Sequence, residues 1–280
     1  MRNIIRADLY RIFKGKGVYV AIATFIAYLI LLVGSSGMGT IGVDVSSIQN
    51  PDDVTMVEVA DGVEVAIRDF TPTKVTGRIA PKALADGVSD LIYFFLPFIV
   101  IIVAADFSTG TVKNLLAGGL SRTKYFMSKM ILIGIICVII VLMFLIFSIG
   151  ISTIINGFGG SFDSELLKEI AKIYLPQTYL LFAYACIGLF LAFTFRSKAA
   201  LISIYLAFSL VPTIIIFILQ TANEKFVELI QYDLVFNIKT FAFPDGAYPP
   251  DLTRAAIMGA IFILGCAIGG MLLFKKAEIK

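Results

Sequence analysis

The chain has 280 residues, of which 59% are apolar and only 15% charged, and its formal net charge is +3. A soluble domain carries roughly 25% charged residues, so this composition excludes a soluble globular enzyme and leaves lipid as the solvent for most of the length. Histidine is absent, which removes His-based acid–base catalysis, Ser–His triads and His metal sites.

At the N-terminus, residues 1–16 place Ile4, Ile5, Leu9, Ile12 and Phe13 on one helical face and Arg2, Arg6, Arg11 and Lys14 on the rest. That pattern predicts a short basic amphipathic helix at the membrane interface, an elbow into the bilayer whose cations meet anionic lipid headgroups. The apolar run Gly17–Gly34 follows. It is long for a signal peptide and has no A-x-A site after it, so it reads as an uncleaved first span.

Residues 35–90 form a large outside loop. Partial alternation over Val54–Ile67 predicts a small strand or hairpin with its turn at Asp61–Gly62. The Gly37–Gly42 stretch matches GxGxxG formally but lacks the flanking strand and helix a dinucleotide site requires. The second span, Leu91–Ala105, is too short to cross about 30 Å of hydrocarbon unless it starts near Ala85. Pro97 within it and Pro212 in the fifth run predict kinks.

Residues 106–129 then make an inside loop. Thr109 or Thr111 can open a short helix displaying Leu115 and Leu116, Gly118–Gly119 can end it, and Ser121 can cap the helix that follows. Lys113, Arg122 and Lys124 ring this apolar knob, a form suited to docking in a partner's groove. Four further runs, Met130–Ile151, Pro176–Phe195, Ala199–Leu219 and Ala255–Phe274, bring the spans to six. Between the third and fourth, Ser161–Tyr174 predicts a separate interfacial helix capped by Ser161 or Asp163, and Gln220–Thr253 predicts a segment packed over the helix ends.

Orientation follows from the loops. With both termini inside, 14 of the 23 basic residues face the cytoplasm beside three acids (Asp8, Asp106, Glu278), and 17 acids lie outside. Cys137, Cys186 and Cys266 each sit mid-run and read as small hydrophobes. The expected fold is an all-α integral membrane protein: one six-helix domain over 1–280, N-in and C-in, with an interfacial elbow and a short cytoplasmic coupling helix between spans two and three.

The run Asp106-x-x-x-Gly110-Thr111-x-Lys113-Asn114-Leu115-Leu116-x-x-Gly119-x-Ser121-Arg122-x-x-Tyr125-x-x-x-Lys129 resembles the first cytoplasmic loop of permease subunits of ABC-2-type ABC transporters. Asp106 stands where these permeases more often carry Glu, which shortens its reach. The basic N-terminal helix, the six-span count and the large first outside loop extend the likeness over the whole chain. The resemblance implies a bacterial cell-membrane exporter that works with separate ABC ATPase subunits and a second permease chain, identical or related. It implies ATPase docking at Gly110, Thr111, Lys113, Leu115, Leu116 and Arg122, with Ile5, Arg6, Leu9 and Arg11 forming the elbow. ATP and Mg would then sit on the partner, with no cofactor, metal, catalytic residue or nucleic acid on this chain. Amphipathic peptide is the cargo it favours, with drugs, lipids or ions as alternatives.

The middles of the six runs hold no ionisable Asp, Glu, Lys or Arg, their polar content being hydroxyls such as Tyr184, Tyr205 and Ser209, and no phosphate-binding GxxxxGK[ST] occurs. Transport driven by ions places charges in the bilayer, so energy would have to come from a partner. A non-transporting sensor or scaffold, or an intramembrane enzyme, is the competing class.

Overall fold

The computed structural model describes residues 2–36, 54–58, 64–68, 75–222, 224–242 and 249–276. Among the described residues six helices are long and apolar enough to cross a membrane, and the chain is a multi-pass membrane protein. In order the elements are α1 (Arg2–Lys14), α2 (Lys16–Ser36), β1 (Val54–Glu58), β2 (Glu64–Arg68), the helical span α3 (Ala85–Ser108), α4 (Thr111–Ala117), α5 (Arg122–Asn156), α6 (Ser164–Phe195), α7 (Lys198–Ala222), α8 (Leu234–Thr240) and α9 (Pro249–Lys276). The spans are α2, α3, α5, α6, α7 and α9.

The second span begins at Ala85, as its length demanded, but Ala85–Asp90 is a 3-10 turn and the α-helix starts only at Leu91. One turn after Pro97 the helix widens into a π turn, Val100–Ala104. Proline removes one backbone donor, and π turns form where a helix takes up an extra residue.

Two predicted boundaries are corrected. Span three is 35 residues long and span four 32, because both helices continue well past the hydrocarbon run. Ser161–Tyr174 is therefore no separate interfacial helix. Asp163 accepts the Leu166 N–H at 2.9 Å and caps a helix that runs unbroken through Pro176 to Phe195. The Leu166 N–H and the Arg78 guanidinium hold the Asp163 carboxyl below the ordinary aspartate range. A carboxyl depressed in the folded state contributes stability above its unfolded pKa and loses it as pH falls through the folded value. Asp163→Ala is thus expected to lower the Tm in detergent at neutral pH and to show a smaller acid-side loss of Tm than the parent.

The loop between the first two spans contains strand as well as helix. β1 and β2 pair antiparallel from Val54↔Arg68 to Glu58↔Glu64, the small hairpin expected over Val54–Ile67, in a fold that is otherwise all-helical. The proposed turn at Asp61–Gly62 and the Gly37–Gly42 stretch lie outside the described residues. The rest of this loop rests on the far ends of the spans. Asn156 donates to the Val75 carbonyl at 3.0 Å, Gly77 N–H to Gly157 at 3.0 Å, and Tyr174 OH to Pro81 at 2.9 Å. The late segment also packs over helix ends, as expected: Gln177 in α6 donates to the carbonyls of Ala85 and of Ile238 in α8, at 2.9 and 3.1 Å.

The most buried span is α6, while α2, α7 and α9 are peripheral. Close approach is set by small residues. A Cβ on Gly188 of α6 would lie 2.4 Å from Ile99 Cδ1 and 2.8 Å from Tyr205, so α3, α6 and α7 meet there through glycine. Tyr205 OH donates to the Ile92 carbonyl at 2.7 Å across the same contact. On α9, Ile257, Ile261, Leu264, Ile268 and Leu272 are all more than half exposed along one face, consistent with lipid as the surrounding solvent.

Candidate functional site at the basic end of the bundle

At the end of the bundle where α2 begins and α9 ends, four charged side chains from three elements meet. Lys129 of α5 is fully buried, and its Nζ lies 2.6 Å from Asp8 Oδ2 and 2.7 Å from Asp106 Oδ2. Asp8 comes from α1 and Asp106 from the last turn of α3. Arg11 Nη1 donates to Asp106 Oδ1, and its Nη2 donates to Asp8 Oδ1 at 2.9 Å and to the Ile102 carbonyl at 3.3 Å. Tyr125 OH donates to Asp106 Oδ2 at 2.6 Å. The charges sum to zero, which such burial requires, because an unpaired ion in a low-dielectric interior costs several kcal/mol. Burial lifts the Asp8 carboxyl above the ordinary aspartate range, with Lys129 pulling it back.

Local sequence explains the convergence. The π turn inserts one residue ahead of Asp106 and so rotates the final turn of α3 by about 100°. Its Ile102 carbonyl is one of Arg11's acceptors. On α1, Ile5, Asp8, Leu9 and Ile12 share the inward face; Ile12 is buried and Ile5 and Leu9 half-buried. Phe13, expected on that face, is instead 68% exposed, beside Tyr10 at 64%. Asp8 and Phe13 lie about 140° apart around the helix, so with Asp8 turned in to Lys129 at 2.6 Å Phe13 faces away from the bundle. Arg6 is exposed and makes no ion pair among the described residues.

Beneath the charges lies an aromatic layer. Phe193 of α6 has its ring centroid 5.7 Å from Phe107, 6.0 Å from Tyr125, 4.9 Å from Phe126 and 5.0 Å from Phe274. Four spans, α3, α5, α6 and α9, are thereby joined at one level. Arg122 donates to the carbonyls of Phe274 and Lys275, both at 2.9 Å, satisfying orphan groups at the C-terminus of α9.

The loop helix α4 sits beside this layer. It is opened not by a threonine but by Gly110, at φ +70° and with no side-chain cap; Thr109 and Thr111 bond each other at 2.8 Å. It ends in the predicted manner. Gly119 has φ +87°, its N–H bonds the Leu116 carbonyl at 3.1 Å, and the Leu120 N–H bonds Leu115 at 3.2 Å, which is a Schellman closure. Ser121 caps α5 through the Lys124 N–H at 3.3 Å. A Cβ at Gly110 or Gly119 would meet nothing within 4 Å, so the left-handed backbone is what calls for glycine there.

Val112 anchors α4 inward, and Leu115 and Leu116 are half-buried against the core. The expected apolar knob is therefore turned partly inward. The face presented outward is Lys113, Asn114 and Ala117–Gly119, with Lys124 nearby also exposed. Of the residues singled out in the sequence, Arg11 enters the charged network, Ile5 and Leu9 pack against the core, and Arg122 binds α9. Gly110, Thr111, Lys113, Leu115 and Leu116 remain on α4 and its cap. Missed were Asp8, Lys129 and Phe193 as central residues. A signal existed for Lys129: Tyr125, Lys129, Leu132 and Ile136 fall at helical spacing, which places the lysine on an apolar face.

Fold and site together define a six-span membrane protein with a charged junction between its first helix and its second and third spans. The chain belongs to the DUF2705 family: a family model described as "Protein of unknown function (DUF2705)" matches residues 87–280. That range holds five spans, α4, Asp106 and Lys129, and stops short of Asp8 and Arg11. A search of the curated proteins finds no match. Among the described residues, no cluster of three or more His, Cys, Asp or Glu is placed to hold a metal ion.

Proposed function

We propose that this chain is the permease subunit of an ATP-driven exporter of the ABC-2 type, with both termini in the cytoplasm of a bacterial cell and amphipathic peptide as the favoured cargo. The observation that carries the reading is the setting of α4. A seven-residue helix, bounded by two left-handed glycines, hangs between two spans and turns Lys113, Asn114 and Ala117–Gly119 outward. It has a stiff route inward: Asp106 at the end of α3 and Tyr125 at the start of α5 are bonded to each other and, through Lys129 and Arg11, to α1. A push on α4 by an ATPase subunit would reach three elements at once, and rigid-body rocking of such elements is an established way to alternate access. The chain supplies no phosphate-binding loop, so ATP is bound by the partner.

Because Leu115 and Leu116 are half-buried, charged replacements there would disturb folding along with docking. The test uses the exposed cations instead. Lys113→Glu/Lys124→Glu is expected to insert and accumulate like the parent while losing the ATPase activity that co-purifies with the parent from host membranes. Undiminished co-purification with the double variant, or no ATPase with the parent, sinks the reading.

A further inference from the structure

The buried network divides into two pairs, each complete within its own part of the fold. Asp8 and Arg11 are one helical turn apart on α1 and bond at 2.9 Å. Asp106 and Lys129 bond at 2.7 Å across α3 and α5, and Tyr125 OH supports Asp106 at 2.6 Å. Each pair is neutral. Among the described residues, the Lys129–Asp8 contact at 2.6 Å and Arg11's bonds to Asp106 and to the Ile102 carbonyl are what cross between them.

We infer that α1 is a releasable latch, which lifts from the bundle about Gly15 as an electroneutral unit and leaves Lys129 paired behind it. Stranding one member of a buried ion pair is what makes such pairs costly to break. Here Asp8 departs with Arg11, and Lys129 keeps Asp106, so separation breaks bridges without stranding a charge. The rest of the attachment is slight: Ile12 is buried, while Ile5 and Leu9 are only half-buried. The outer face, with Tyr10 and Phe13, stands exposed. Gly15 is the single non-helical residue between α1 and α2, with Tyr19 OH donating across the joint to the Phe13 carbonyl at 2.9 Å. Lifting α1 also frees the Ile102 carbonyl of the π turn. This inference concerns the mechanics of the chain itself and does not rest on the proposed transport role.

Two neutral double variants of the full chain, reconstituted in lipid nanodiscs, test it by amide hydrogen exchange. Asp8→Asn/Arg11→Gln keeps the Asp106–Lys129 pair and removes the ionic bridges that Asp8 and Arg11 make from α1. Its α1 amides are expected to exchange about tenfold faster than the parent's, with α5 and α6 unchanged. Arg11→Gln/Asp106→Asn leaves only Asp8–Lys129, a pair split across the joint, so lifting α1 would now strand Lys129. Its α1 amides are expected to exchange about tenfold more slowly. Shifts of the same sign in both variants overturn the latch, since a network serving only to hold the fold together would loosen in each. The parent gives a check that needs no substitution: α1 exchanging in step with α5 overturns the inference as well.

Discussion

Lys129→Met is expected to destabilise the protein by about 3–5 kcal/mol, the cost of leaving buried charge without its partner. Methionine matches the length of the lysine stem, so the loss is electrostatic rather than a cavity. Asp8 and Asp106 would face Arg11 alone, and Arg11 sits at the edge of the network with its side chain 35% exposed. The measurement is unfolding in detergent micelles, followed by helix content. Asp8→Asn/Lys129→Met is expected to recover a substantial part of the loss, because Asp106 and Arg11 then balance. A double variant as unstable as the single one would mean that packing around Lys129, not charge balance, sets the cost. Lys129→Arg is not a conservative change here, since a planar guanidinium would replace a compact ammonium at a fully buried site.

The second large effect is expected at Phe193. Its ring is 1% exposed and contacts aromatic rings from α3, α5 and α9. In water Phe→Ala in a core costs about 3–5 kcal/mol, part of it transfer of apolar surface to solvent. Lipid removes much of that transfer contribution, since acyl chains are as apolar as the side chain. What remains is the cavity and the lost ring contacts, and about 3 kcal/mol is expected. Phe193→Leu should recover most of it. Equal stability of Phe193→Ala and the parent in the same unfolding assay would show that the bundle collapses into the space or that lipid fills it.

The six spans were legible because a hydrocarbon slab imposes a length and a composition on anything that crosses it. Where the helices leave the slab, that signal stops, although the helix need not. The far ends of α5 and α6 are the instance: Ser161–Tyr174 reads as a separate amphipathic surface helix, and nothing in its hydropathy says that it is continuous with the span beyond Pro176. Caps were read well at Gly119, Ser121 and Asp163, where chemistry is local. Gly110 was missed as an opener because a hydroxyl on either side offered the usual cap. The charged junction was the least legible part. Its partners lie 95 and 121 positions apart, and a lysine near a span end also satisfies the orientation rule with no partner at all. The family resemblance drew attention to Asp106 and Lys129, while the structure supplied what they bond.

The unusual length of α5 has a mechanical meaning. Thirty-five helical residues extend about 52 Å, against about 30 Å of hydrocarbon. One end is fixed in the charged junction, and the other carries the loop between the first two spans through Asn156 and Gly157. It is therefore a lever arm whose fulcrum lies near Lys129. From Lys129 to Asn156 the arm is about 40 Å, so a tilt of only about 5° would sweep the distal tip by about 3–4 Å, and small adjustments among four side chains become displacements the size of a residue at the far end of the span.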